Sequence, residues 1–290
     1  MSKKGIALIV AGALAGSVLL GSVANLFDTG TSCSDQDPGG RPAWSPDGRK
    51  IAFQKRNEID VISVDGTGLR RVLRGSCPAY YFPSWSPDSR NLAVEGSGDS
   101  VEIELLDLRT GGRRPISSLE IDGFEPAWSP DGRWIVFDTV RGIFVVRPAQ
   151  DDLPHEVTVQ AGDTPDWAPD GKQIVFADDK GLFVVSVKDL LPEAFPGRSR
   201  LGGRPRKILG HGKSPAWSPD GSLIAFSDRG TIGLIRPDGS PLAPAYNCGE
   251  CKVDDPDWSP DGKRLVFHEK GVGIRIVTVG GGRVRTLAKL

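Results

Sequence analysis

The sequence predicts an all-β fold: a six-bladed β-propeller with four-stranded antiparallel blades, preceded by an N-terminal signal or anchor segment. Three observations predict it. A stretch reading Pro-x-Trp-Ser-Pro-Asp-Gly recurs six times, with its tryptophans at Trp44, Trp85, Trp128, Trp167, Trp217 and Trp258. Successive motif tryptophans are 41, 43, 39, 50 and 41 residues apart, a period that fits one propeller blade per repeat. Between the copies run short apolar segments bounded by turn residues, and the 37 glycines and 23 prolines are what so turn-dense a chain requires.

Each repeat breaks into the same four parts. The first strand carries the Trp and ends at Pro-Asp-Gly, where Pro presets φ, Asp can bond the backbone two residues on, and Gly accepts positive φ. This reading assigns a structural role to Asp47, Asp88, Asp131, Asp170, Asp220 and Asp261, each in its own turn and a whole repeat from the next. A second apolar strand follows at 51–53, 92–94, 135–137, 174–176, 224–226 and 265–267. A third is expected at 59–64, 101–106, 143–146, 182–187, 232–235 and 274–279. A fourth, more polar strand closes most repeats at 70–73, 113–116, 155–159, 206–209 and 284–287, and in the fifth repeat Pro241 and Pro244 interrupt it. A single blade cannot bury both its faces, so the aromatic and aliphatic side chains must pack blade against blade.

The Trp-Ser-Pro-Asp-Gly copies resemble the TolB-type propeller repeat, a relative of the WD-type repeats. The resemblance runs from residue 42 to residue 290, with Ser89 in place of Gly and Ala168 in place of Ser as the two departures. It covers the propeller module alone, since the α/β domain that precedes the propeller in TolB itself has no counterpart in this sequence. It implies a ring whose channel mouth receives a protein partner.

The first 24 residues differ in kind. Lys3 and Lys4 precede an uncharged run from Gly5 to Ala24 that ends in Ser22-Val23-Ala24. This reads either as a cleaved secretory signal peptide or as an uncleaved anchor, and both place the propeller outside the cytoplasmic membrane. Residues 25–40 are expected to form a flexible tether, and 41–290 the propeller. The four cysteines, Cys33, Cys77, Cys248 and Cys251, lie in the connections into blades 1, 2 and 6. An even count in an exported chain favours disulfides, expected as Cys33–Cys77 and Cys248–Cys251, over a zinc site or a redox pair. The surplus of the fourth repeat falls between its third and fourth strands, from Lys188 through the basic Arg198, Arg200, Arg204, Arg206 and Lys207. It reads as a solvated insertion, with a partner-binding arm as the alternative.

No catalytic set, cofactor motif or metal cluster emerges. His155, His211 and His268 fall in three different repeats at non-equivalent positions. There is no Gly-x-Ser-x-Gly elbow, and a formal net charge of −1 argues against a nucleic-acid footprint. The informative positions are the pairs just before each Pro-x-Trp, where the chain should pass a mouth of the central channel. Candidate binding residues there are Arg41, Tyr80, Tyr81, Phe82, Phe124, Glu125, Asp163, Lys213, Asp254 and Asp255. Aromatics beside charges make an interface hot spot, against the blander reading that they plug the channel. The leading expectation is a monomeric, non-catalytic propeller that needs no cofactor. It binds an envelope protein or peptide at the mouth and touches membrane only through its N-terminal segment. The alternative is a glycan lyase or hydrolase using the same mouth.

Overall fold

A computed structural model describes residues 39–75, 82–96, 102–116, 122–148, 153–187 and 203–290. Among these residues there are 24 strands and no helix. Blade 1 comprises β1 (Gly39–Trp44), β2 (Lys50–Lys55), β3 (Glu58–Ser63) and β4 (Arg70–Arg74). Blade 2 comprises β5 (Ser84–Trp85), β6 (Asn91–Glu95), β7 (Ile103–Asp107) and β8 (Arg113–Pro115). Blade 3 is built from β9 (Phe124–Trp128), β10 (Ile135–Thr139), β11 (Gly142–Val146) and β12 (His155–Thr158). Blade 4 holds β13 (Asp163–Trp167), β14 (Gln173–Asp178), β15 (Gly181–Ser186) and β16 (Arg206–Leu209). Blade 5 holds β17 (Lys213–Trp217), β18 (Ile224–Asp228), β19 (Thr231–Ile235) and β20 (Tyr246–Asn247), the last cut to two residues after Pro241 and Pro244. Blade 6 ends the chain with β21 (Val253–Trp258), β22 (Arg264–Glu269), β23 (Gly273–Thr278) and β24 (Val284–Ala288). In every sheet the four strands hydrogen-bond in chain order, so each blade is one uninterrupted repeat.

The motif turn is a small hydrogen-bonded unit. In all six copies the turn Asp accepts the backbone N–H two residues on, as Asp47 does from Arg49 at 3.0 Å and Asp261 from Lys263 at 3.1 Å. The motif Ser donates to that carboxylate and accepts from the N–H five residues on, as Ser45 Oγ does with Asp47 at 2.6 Å and Lys50 at 2.8 Å. The same pair of bonds recurs at Ser86, Ser129, Ser218 and Ser259. Blade 4 has Ala168 there, so Asp170 and Gln173 lack this hydroxyl.

Six apolar clusters hold the ring together, and each is shared by two adjacent blades. Trp44, Ile51 and Phe53 pack on Val266, Ile274 and Ile276 where blade 1 meets blade 6. Trp85 packs on Val61 and Leu73, Trp167 on Val145 and Val157, Trp217 on Val184 and Ile208, and Trp258 on Leu234 and Ala245. The cluster of blades 2 and 3 joins Leu105 and Ile116 to Ile135 and Phe137. Burial of one such side chain contributes about 1.5–3 kcal/mol. Since no strand is exchanged between the first and last blades, the closing seam rests on the same kind of contact as the other five. An arginine of the fourth strand adds a strap across four seams. Arg70 donates to the carbonyl of Leu108, Arg114 to Pro148 at 2.8 Å, Arg206 to Pro237 at 3.0 Å, and Arg285 to Val64.

Cys248 and Cys251 form the expected disulfide, with their Cα atoms 5.7 Å apart. Cys33 and Cys77, the segment 1–24 and the insertion at 188–202 lie outside the described residues. The second strand of blade 6, expected at 265–267, needs correction: β22 runs on to Glu269, so His268 lies within it, buried.

Restoring the missing motif hydroxyl should stabilise the ring. Ala168→Ser is expected to add about 1 kcal/mol, equivalent to a rise of roughly 2–4 °C in Tm. The reverse change, Ser45→Ala, should lower Tm by a similar amount, and thermal melts of both variants check the pair.

Candidate functional site

The inner strands surround a central cavity of about 260 Å³, to which every blade contributes three consecutive residues. The outermost ring, the mouth, is Arg41, Phe82, Glu125, Thr164, Ser214 and Asp255. Beneath it is a ring of six prolines, Pro42, Pro83, Pro126, Pro165, Pro215 and Pro256. The third ring is the variable residue of Pro-x-Trp: Ala43, Ser84, Ala127, Asp166, Ala216 and Asp257.

A bulge aims the mouth residues inward. The pairing of first and second strands skips between Gly40 and Ala43, Asp163 and Asp166, Lys213 and Ala216, and Asp254 and Asp257. The skipped residue takes up left-handed backbone: φ is 48° at Arg41, 50° at Glu125 and Thr164, 46° at Ser214 and 53° at Asp255. Each precedes a proline, which disfavours helical backbone and biases its predecessor to extended conformations, so this geometry is strained by about 1–3 kcal/mol per residue.

Neighbouring side chains hold the strained segments. Glu95 Oε1 accepts the backbone N–H of Glu125 at 2.7 Å, and Glu125 Oε2 in turn accepts that of Thr164. Ser214 Oγ donates to Asp255 at 2.8 Å. Arg41 donates to Gln54 Oε1 at 3.2 Å, and its guanidinium carbon lies 3.5 Å from the centre of the Phe82 ring, a cation–π contact. Gln54 and Glu95 belong to a further buried set ten residues after each motif Trp, namely Gln54, Glu95, Asp138, Ala177, Ser227 and His268. His268 supports blade 1 from blade 6. A Cβ on Gly40 would meet its ring at 2.7 Å, and Gly40 has φ 144°, so only glycine fits there.

The third ring alternates around the channel. Where the variable residue is polar, it accepts the backbone N–H of the next motif Trp. Asp257 takes that of Trp44 at 2.6 Å, Ser84 that of Trp128 at 3.1 Å, and Asp166 that of Trp217 at 2.7 Å. Where it is alanine, its carbonyl takes the indole N–H of the next Trp in two seams, Trp85 on Ala43 at 3.0 Å and Trp258 on Ala216 at 3.2 Å.

Of the candidate binding residues, Arg41, Phe82, Glu125 and Asp255 line the cavity. Phe124, Asp163, Lys213 and Asp254 do not. They sit one residue farther out, paired with Asp138, Ala177, Ser227 and His268 of the second strands. The bulge explains the split, since it removes one residue of each pair from strand alternation. Tyr80 and Tyr81 lie outside the described residues. Sequence reasoning missed the third ring and the buried set at ten residues past the Trp, although both are readable once the repeats are aligned on tryptophan. The histidines lie in separate places. His155 meets the edge of Trp134, His211 pairs with Asp228 at 3.1 Å, and His268 lies below Gly40.

Burial loads this region with protons. It lifts the Glu95 carboxyl to about 8 and the Asp166 carboxyl to about 7, against the backbone bonds each accepts. Asp257 rises to about 6 for the same reason. Burial also raises Glu125 and Asp138, and the two carboxyls add to it by repulsion, Asp138 on Glu125 and Glu95 on Asp138. Because these values lie above those of the unfolded chain, near 4, the folded protein keeps protons that the unfolded chain releases. The associated stability is complete below about pH 4 and is lost as pH rises through the folded values, from about 6 to about 8. The urea midpoint is therefore expected to fall between about pH 5 and pH 8, and Asp166→Asn should flatten the fall. A midpoint that rises over that interval would contradict this assignment.

Comparison with known proteins agrees with the geometry. The profile of the TolB beta propeller domain matches residues 53–184. Among solved structures, a protein described as a candidate TolB from Agrobacterium tumefaciens superposes with a TM-score of 0.58 at 20% identity, over 78% of this chain and 87% of its own. TolB from Acinetobacter baumannii gives a TM-score of 0.61 at 21% identity, over 85% of this chain and 65% of its own. An oligogalacturonate lyase in complex with manganese gives 0.55 at 15% identity, over 84% of this chain and 78% of its own. At these identities the likeness to the solved structures is one of fold, and it extends to an enzyme. With the profile match and six in-register motifs, the chain carries a TolB-type β-propeller.

Proposed function

We propose that this protein is an exported, non-catalytic propeller of the cell envelope that binds a protein or peptide partner at its channel mouth. The observation that carries the reading is the mouth ring itself. Each of the six blades sets one residue at the rim of one cavity, five of them at positive φ, and the six side chains all differ while the prolines beneath them do not. Strain held at one ring by surrounding bonds is a mark of a functional site. A cavity of about 260 Å³ is smaller than the range typical of small-molecule sites, about 300–1,000 Å³. It suits a single inserted side chain or chain end, with the rest of the partner seated on the rim. Phe82 under the Arg41 guanidinium is the natural anchor, an aromatic with a charged cover at the centre of the face. The TolB-type resemblance points to the same surface, and the basic and apolar N-terminal segment supports export.

A second reading, an enzyme acting at the same mouth, draws on one specific observation. Glu125 lines the cavity with its carboxyl raised by burial and by Asp138, as a proton donor would be.

Affinity capture from envelope extract separates the two. The intact chain should retain a partner that an Arg41→Ala, Phe82→Ala variant of unchanged melting temperature loses, by about tenfold or more in affinity. Glu125→Gln should retain that partner. If no partner depends on the mouth and Glu125→Gln instead abolishes turnover of an oligosaccharide substrate, the binding reading fails and the enzymatic one replaces it.

A further inference from the structure

The seam between blades 2 and 3 is built unlike the others. Five motif tryptophans are buried to between 4% and 7% exposure, but Trp128 is only partly buried. The difference tracks one position. In three blades the residue six places after the motif Trp meets the Trp of the next blade. In blade 6 it is Arg264, whose guanidinium covers Trp44 at 4.8 Å. In blade 3 it is Trp134, packed with Trp167, and in blade 5 it is Leu223, packed with Trp258. In blade 2 it is Asn91, whose polar amide adds no apolar cover to Trp128. A cleft of about 630 Å³ opens beside them. The inner strands run from the mouth to the motif turns, so this cleft, which is lined by the turns of blades 2 and 3, lies on the face opposite the channel mouth.

The lining is selective. Asn91, Asp88, Asp107, Asp131 and Arg113 surround Trp128. The capping bonds of Asp88 run to Oδ1, so its Oδ2 has no protein donor among the described residues, and the Asn91 side-chain amide likewise makes no hydrogen bond there, whereas Asp107 also bonds the Thr110 side chain. Arg113 keeps free donors beyond its 3.2 Å contact with Glu104. Arg114 lines the cleft as well, so two guanidinium groups stand against three carboxylates and the lining is close to charge balance, which favours neither a strongly cationic nor an anionic ligand. A neutral ligand bearing many hydroxyls, each both donor and acceptor, meets its complement in carboxylates, amide and guanidinium together. An aromatic face beside such groups accepts the C–H face of a sugar ring, and the volume lies within the range of small-molecule sites, about 300–1,000 Å³.

We propose that the cleft between blades 2 and 3 is a carbohydrate-binding site in which a pyranose ring stacks on Trp128 and its hydroxyls bond Asn91, Asp88, Asp107 and Arg113. The site is independent of the channel mouth.

Calorimetric titration of the full chain with tetrasaccharides of glucose, galactose and N-acetylglucosamine tests it, with tetralysine and tetra-aspartate peptides as charged controls. At least one saccharide is expected to bind. Its affinity should drop about tenfold or more in both Trp128→Ala and Asn91→Leu, and should not change in the Arg41→Ala, Phe82→Ala mouth variant. Asn91→Leu copies Leu223 of blade 5 and replaces the amide by an apolar side chain of the same length, which removes its hydrogen bonds while keeping the fold, so it decides the matter even if Trp128→Ala is unstable. Failure of all three saccharides overturns the proposal, as does binding that survives Asn91→Leu, or selective binding of either charged peptide.

Discussion

The ring depends on side chains of one blade that accept backbone N–H groups of the next. Each blade is a complete repeat, so no strand crosses a seam to fix neighbouring sheets. The inner strand is also an edge, with donors aimed into the channel that the sheet cannot satisfy. Asp257, Ser84 and Asp166 take the Trp donors, and Glu95 and Glu125 take those of the bulged residues. Each such bond contributes about 0.5–1.5 kcal/mol when neutral and about 1.5–3 when charged. Apolar packing supplies the larger part of the cohesion but lacks direction. The bonds fix the angle and height at which each blade meets the next, and thereby the shape of the cavity.

The same bonds explain why carboxyls are buried at the centre of the molecule. Desolvation raises them, and two to three of them share the space around blades 2 and 3. The backbone N–H groups they accept offset part of that cost.

Much of the architecture was legible in the sequence because it is written in local chemistry. Pro-Asp-Gly encodes a turn, the apolar runs encode strands, and a period near forty encodes blades, all within a few residues of one another. The Cys248–Cys251 pair, three residues apart, was readable for the same reason. What was not legible depends on contacts between repeats. The mouth was placed within one residue, and Phe124, Asp163, Lys213 and Asp254 fell on the wrong side because a bulge shifts strand alternation without a marker in composition. Nothing in Pro-x-Trp marks Asp166 and Asp257, since their partners Trp217 and Trp44 lie 51 and 213 residues away. Trp128 carries the same motif as the other five tryptophans, and its partial exposure depends on the blade before it, which holds the polar Asn91 beside it.

The alternation of the third ring has a consequence for symmetry. Six repeats suggest sixfold equivalence, yet seams bonded through a Ser or Asp side chain alternate with seams that follow an alanine. The smallest unit that reproduces the chemistry of the ring is therefore a pair of blades, and the channel floor has three polar poles at intervals of a third of a turn. Anything that reaches the floor meets a trefoil rather than a hexagon. Insertion or loss of a single blade would leave two like seams side by side, whereas a change by two would preserve the pattern.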